Sequence, residues 1–170
     1  MKKTLPILLM GLGLVCLTSC NFVKDIVNPE KQYNFENFKT LVADRSPSFD
    51  ATKATGSATS NGQTSTVEYT YNATTHDWEY STGAITLGDK LFIKDYLTSL
   101  NTIQNVDKTY KFYARDDSYR IFASSTYDGG KMELTMIFAS NGLMTERYGS
   151  DINTTTLDKN EYRETLTYSK

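Results

Sequence analysis

The fold is decided by the stretch KMELTMIFASNGLMTERY, residues 131–148. Apolar and polar residues alternate from Lys131 to Ala139, which is the period of a strand with one buried face. The turn Ser140-Asn141-Gly142 follows, and Asn-Gly favours a hairpin. Leu143–Tyr148 is then the returning strand. The stretch therefore predicts antiparallel sheet, and four side chains of its first strand are expected on the buried face: Met132, Leu134, Met136 and Phe138.

Further strands are predicted on either side of this hairpin. The same alternation and turn signals place them at 66–72, 77–80, 110–115, 118–126 and 161–168. Residues 149–159 are polar and predict a loop before the last strand. The segment after Lys108 is therefore expected to form an antiparallel meander.

Two helices are predicted upstream of the meander. Asn34 suits the N-cap of the first, and Pro47 disfavours helix at Ser46, so this helix should end near Arg45. Asp89 is a candidate cap for the second, which should end near residue 104 and carries an apolar stripe: Phe92, Tyr96, Leu100 and Ile103. The order of elements predicts an α+β fold, with a curved antiparallel sheet of about 6–7 strands packed against two helices. A half-barrel is one form that such a sheet can take.

Residues 46–63 separate the first helix from the first strand. They are rich in Ser, Thr, Ala, Gly and Asn, a composition that buries little apolar surface. We therefore expect a flexible loop, either a plain insertion or a lid. Residues 33–170, with this loop included, are expected to form a single α+β domain, because this length suits one hydrophobic core.

The first 20 residues have the parts of a bacterial export signal. Lys2 and Lys3 form a cationic start, and the 13 largely apolar residues from Leu5 to Leu17 follow. A membrane-spanning helix needs roughly 20 residues, so this segment has the length of a signal-peptide core instead. Residues 1–19 are therefore predicted to be a signal peptide.

The tetrad Leu17-Thr18-Ser19-Cys20 resembles the lipobox of bacterial lipoproteins. The resemblance implies that a prolipoprotein acyltransferase attaches diacylglycerol to the sulfur of Cys20, and that the lipoprotein signal peptidase cleaves between Ser19 and Cys20. Two acyl chains or more give stable anchoring. An ordinary secretory signal is the alternative, and Cys16 is a rival site that lacks a small residue directly before it.

The lipobox also implies a location for the mature chain. Residues 20–32 would be a lipidated tether, and the domain would lie at the extracytoplasmic face of a bacterial membrane. A high content of Asn, Lys, Thr and Tyr is typical of low-GC bacteria, which suggests the cell membrane. With Cys16 removed and Cys20 acylated no thiol would remain, so disulfides, thiolate metal sites and cysteine nucleophiles are excluded.

Charge and motifs argue against several classes of function. After loss of Lys2 and Lys3, 16 basic residues face 20 acidic ones, and this weakly acidic balance argues against nucleic acid as a partner. The single histidine, His76, stands beside Asp77 without an identified nucleophile. Phosphate-binding loops, nucleophile elbows and paired carboxylates are missing from the sequence. We therefore expect no enzyme, no catalytic residues, no cofactor and no metal; ligand-binding residues are not predicted.

The order helix, strands, helix and meander resembles the half-barrel of Lol-type lipoprotein carriers and related lipid-binding lipoproteins. This resemblance implies a non-catalytic lipoprotein that holds an apolar ligand or lipid on a concave sheet. The alternative is a structural or protein-interaction lipoprotein with a fully packed core. A hydrolytic enzyme is a third possibility, and it would require acidic residues clustered around His76.

Overall fold

The computed structural model describes residues 28–45, 47–82 and 90–170. The chain divides into two compact units, Met1–Lys31 and Gln32–Lys170, and the second contains every element below except Lys31, the first residue of β1. The strands are β1 (Lys31–Tyr33), β2 (Lys53–Ser60), β3 (Gln63–Asn72), β4 (Asp77–Thr82), β5 (Tyr110–Ala114), β6 (Ser118–Tyr127), β7 (Gly130–Ala139), β8 (Met144–Asn153) and β9 (Lys159–Ser169). The helices are α1 (Phe35–Asp44), α2 (Ile93–Leu100) and α3 (Val106–Thr109).

All nine strands belong to one open sheet in the order β1-β5-β6-β7-β8-β9-β2-β3-β4. Every pairing from β5 through to β4 is antiparallel. The predicted α+β fold with a curved antiparallel sheet is thus confirmed. The predicted counts of 6–7 strands and two helices are too low for the described residues, which form nine strands and three helices.

The predicted flexible loop at 46–63 is wrong for residues 53–60, which form β2 between β9 and β3. The strand carries small side chains where its neighbours carry large ones, and Ala54 lies opposite both Tyr69 and Tyr168. At Gly56 the chains approach so closely that a Cβ atom would stand 1.8 Å from the carbonyl oxygen of Thr165. The same composition that suggested a loop therefore fits a strand that is covered by large neighbours.

The predicted loop at 149–159 is also too long. Strand β8 continues to Asn153 and β9 begins at Lys159, so the connection is confined to residues 154–158. The polar residues of this stretch lie on strand ends, where they form hydrogen bonds such as that between Tyr127 and Asp151. The prediction from polarity alone therefore ended β8 several residues too early.

Helix α1 confirms the first predicted helix. The side chain of Asn34 accepts a hydrogen bond from the backbone N–H of Asn37 at 2.8 Å, which satisfies one of the free amides of the first turn. Phe35, Phe38 and Val42 are buried. The ring centroid of Phe38 lies 5.2 Å from that of Phe112 on β5, so this stripe packs on the sheet.

Helix α2 is shorter than predicted. It begins after Phe92, which makes no side-chain capping bond, and the predicted cap Asp89 lies outside the described residues. It ends at Leu100, and Asn105, which precedes α3, adopts a left-handed conformation (φ 55°). Among the described residues, no helix has both the length and the apolar character needed to cross a membrane.

The helices pack on one face of the sheet, which we call the core face. On β7, Met136 and Phe138 are buried there as predicted, and Phe138 lies 6.4 Å from the ring of Tyr96 on α2. Leu134 is half-buried, and Met132, beside the β6–β7 turn, is 40% exposed. The prediction of a buried face on this strand is therefore confirmed only for the half that contacts helices.

Candidate functional site

The sheet face opposite the core face, which we call the open face, has a groove of about 770 Å³. Successive residues of a strand point to opposite faces. On β8, Arg147 is therefore buried on the core face, whereas its neighbour Tyr148 points to the open face and is 40% exposed. The groove crosses β6, β7, β8 and β9 and reaches the end of β2.

One residue from each of these five strands forms a continuous row along the groove. Strand register places these side chains opposite one another in the order Phe122, Thr135, Tyr148, Arg163 and Thr59. We call this set the groove row. Thr135 forms part of the floor and is only 7% exposed, while Tyr148 stands at the centre. Adjacent strands lie about 4.8 Å apart, so the row is about 19 Å long.

The charged side chains of the groove are paired with opposite charges. The Nζ atom of Lys159 lies 2.5 Å from Oε1 of Glu161, and Nη2 of Arg163 lies 2.5 Å from Oε1 of Glu146. A third lining carboxylate, that of Glu133, lies 2.5 Å from the ammonium of Lys131. Each exposed pair stabilises the fold by about 0–1 kcal/mol at most. Their main effect is thus to leave the groove close to neutral.

Neutral hydroxyl groups continue the open face beyond the groove. The hydroxyls of Thr59 and Thr64 lie 2.8 Å apart, linking β2 to β3. On the β2–β9 side the hydroxyls of Ser57 and Thr165 lie 3.2 Å apart. We call these cross-strand pairs the hydroxyl ladder. It extends the uncharged polar surface from the end of the groove row across β2.

The core face of the same strands holds a buried charged cluster. Arg147 and Glu164 are opposite each other on β8 and β9 and form a salt bridge through Nε and Oε2. The hydroxyl of Tyr69 donates to Glu164 Oε1 at 2.7 Å and accepts from Arg147 Nη2 at 3.1 Å. Burial, with the nearby Glu164 carboxylate, raises the pKa of the Tyr168 hydroxyl. This cluster is a structural feature of the core and does not line the groove.

His76 occupies the β3–β4 turn with a positive φ of 59°. Its Nδ1 lies 3.1 Å from the hydroxyl of Tyr71, and the adjacent Asp77 forms a 2.7 Å salt bridge with Lys90. Burial raises the pKa of Asp95, which interacts with Asp77 and His76. The structure therefore does bring two carboxylates near His76.

This arrangement connects a hairpin end to the start of α2. The Asp77 carboxylate is already bound to Lys90, the residue that precedes Leu91 and α2. Within the described ranges, no three His, Cys, Asp or Glu side chains converge as metal ligands. The salt bridge between Asp77 and Lys90 joins the start of β4 to the segment before α2.

The two site residues predicted from sequence, Ser19 and Cys20, lie outside the described residues. Sequence reasoning missed the groove row. The only signal in the sequence is that charged and hydroxyl residues occupy every second position of β9, from Lys159 to Thr167. Any strand with one face exposed to solvent shows the same pattern.

Comparison with protein-family models, curated proteins and solved structures finds no match to this chain. The function is therefore inferred from the geometry of the open face.

Proposed function

We propose that this protein is a lipid-anchored, non-catalytic bacterial surface lipoprotein that binds an extracytoplasmic partner in the groove of its open face. The observation that carries the proposal is the groove row. It places an exposed aromatic side chain, Tyr148, at the centre of an open concavity on the face away from the helices. Exposed aromatic residues surrounded by polar groups are typical of binding surfaces.

The packing of the core face favours a surface partner over a lipid held beneath the helices. The side chains that fill the space between helices and sheet are almost completely buried: Phe38, Phe112, Ile121, Met136 and Phe138. Their rings contact each other at ordinary packing distances, such as 5.2 Å between Phe38 and Phe112. A lipid in this space would have to displace them. The half-barrel of a lipid carrier stays a prediction.

The groove itself also favours a polar partner. An acyl chain lying across it would cover Glu146, Arg163 and Lys159, and removing charged groups from water without new hydrogen bonds is costly. A polar partner can form hydrogen bonds with these charged groups in place of the water molecules that it displaces. We therefore favour an interaction lipoprotein over a carrier of an apolar ligand.

The proposed anchor determines where this surface works. Acylation at Cys20 by the prolipoprotein acyltransferase and cleavage by the signal peptidase would leave residues 20–32 as a tether. The domain that carries the groove would then lie on the extracytoplasmic side of the membrane. The partner would be a molecule of the envelope or its surroundings.

Single cysteines test both location and occupancy, because the mature chain would carry no free thiol of its own. Thr59→Cys places a thiol at the end of the groove row and keeps Tyr148 in place, and Tyr127→Cys places one at an exposed position (48%) outside the groove. Both are treated with a membrane-impermeant maleimide, in intact cells and as purified protein. We expect both to react when purified, and only Tyr127→Cys to react rapidly in cells.

Two outcomes would contradict the proposal. If neither thiol reacts in intact cells while both react after lysis, the domain does not lie outside the membrane. If both react equally in cells, the groove is empty there and the binding role fails.

A further inference from the structure

We propose that the occupant of the groove is a neutral polysaccharide chain. This inference rests on the proposed function and specifies its partner. Three features of the groove support it: its charge balance, its central aromatic side chain and its length.

The charge balance disfavours an ionic ligand. An anion bound to Arg163 would lie close to the carboxylate of Glu146, which already pairs with this guanidinium and whose side chain is only 20% exposed, so the two negative charges would repel each other. A cation at Glu161 would likewise compete with Lys159. A neutral chain with many hydroxyls can donate to the carboxylates and accept from the cations while every ion pair stays intact. Hydrogen bonds of this kind, with one charged partner, are stronger than neutral ones.

The aromatic centre suits a sugar ring. A pyranose has a face of C–H groups and an edge of hydroxyls, so it can pack on an aromatic ring while its edge forms hydrogen bonds. Tyr148 offers such a ring. The guanidinium carbon of Arg163 lies 5.9 Å from the centroid of this ring, on one of its faces, and Glu146 also lines the groove, so both can bond the hydroxyl edge of a sugar on the other face. The apolar side chains of Phe122 and Ile137 widen this platform towards β6. Aromatic residues provide large contact areas with specific geometry.

The length of the groove favours a chain over a single sugar. The groove row is about 19 Å long at the usual strand spacing, which is enough for several sugar rings in line. Beyond Thr59 the hydroxyl ladder continues the surface without any charge. A polymer can therefore enter at β6, cross the groove and leave over β2.

Affinity electrophoresis of the purified full-length lipoprotein tests the inference. Gels contain either the neutral polysaccharide fraction from the envelope of the producing bacterium, a neutral glucan, or polygalacturonate as an anionic control. We expect a neutral polymer to retard the protein, and Tyr148→Ala to weaken retardation about tenfold or more, as for an aromatic residue at the centre of an interface. Tyr127→Ala, outside the groove, and Tyr148→Phe, which keeps the aromatic face, should retain it.

The effect of salt distinguishes this inference from an ionic one. Retardation by a neutral polymer should change little between about 0.05 and 0.5 M salt, whereas binding of a charged polymer weakens as charges are screened. The inference is overturned if no neutral polymer retards the protein, if only polygalacturonate does, or if Tyr148→Ala binds as well as the unaltered chain. Unfolding midpoints of all variants are compared, and if Tyr148→Ala is unstable, loss of retardation in a stably folded Tyr148→Phe overturns the inference.

Failure of this inference can be told apart from failure of the proposed function. Cells are treated with periodate, which cleaves sugar diols, and with a thiol reductant before maleimide labelling. If the Thr59→Cys thiol becomes reactive, the occupant is a glycan. If it stays protected, while the purified variant treated in the same way still reacts, the groove is occupied by a partner that periodate does not cleave, and the proposed function stands while a polysaccharide with vicinal diols is excluded.

Discussion

Replacing Glu164 by Gln should be among the most destabilising single changes in the core. Glu164 is 0% exposed and bonds both Arg147 and the hydroxyl of Tyr69. The Arg147 side chain is itself only 5% exposed, so Glu164→Gln leaves a buried guanidinium without its opposite charge. Breaking a buried ion pair from one side costs about 3–5 kcal/mol, because the remaining charge is still kept from water.

Two further variants separate the charge effect from simple packing loss. Tyr69→Phe removes one hydroxyl and keeps the ring, so it should cost about 1–2 kcal/mol. Replacing both ions, with Arg147→Met and Glu164→Leu together, removes the uncompensated charge. That pair should cost much less than the sum of its single changes, since apolar replacements of buried ion pairs are often neutral.

Urea unfolding gives these free energies. The single tryptophan, Trp78, is 1% exposed and reports on the core by fluorescence, while far-ultraviolet circular dichroism reports on the sheet. Coincident transitions by both probes justify a two-state treatment. A cost below about 1 kcal/mol for Glu164→Gln, or a double variant as unstable as the summed singles, would refute the reasoning.

Three other predictions follow from particular contacts. Gly56→Ala should lower the unfolding free energy by at least about 2 kcal/mol, because its Cβ would meet the Thr165 carbonyl; a near-neutral result in urea would contradict the close approach. Burial raises the pKa of Tyr168 above the unfolded value of about 10, so its contribution to stability is complete below about pH 10 and is lost as the pH rises further. Unfolding free energies across that range should therefore fall less steeply in Tyr168→Phe, and equal slopes would count against the burial effect. Cys20→Ala should block incorporation of labelled palmitate and leave the precursor uncleaved; normal processing and membrane retention would overturn the proposed anchor.

Local patterns in the sequence predict the elements whose signals are local. The α1 boundaries follow from the Asn34 cap and from Pro47, and both effects act within one helical turn. The hairpin of β7 and β8 follows from the alternation in residues 131–136 and from the turn signal Asn141-Gly142. For these two segments, local sequence patterns were sufficient, and the structure confirms the predicted elements.

Features that depend on contacts between residues far apart in the sequence cannot be predicted from local patterns. Strand β2 consists of small and polar residues, and it is ordered because β3 and β9 pair with it on both sides. Likewise, Arg147 and Glu164 look like solvated charges until strand register brings them together in the core. The groove row depends on five strands at once, so no local window shows that Phe122 and Thr59 belong to one surface.

Photo-crosslinking in living cells tests most directly whether the groove is a binding surface. A photoreactive phenylalanine analogue replaces Tyr148 in one strain and Tyr127, similarly exposed but outside the groove, in another. The account predicts that illumination converts the first protein, and not the second, into a species of higher mass. Equal crosslinking at both positions, or none at Tyr148, would contradict it.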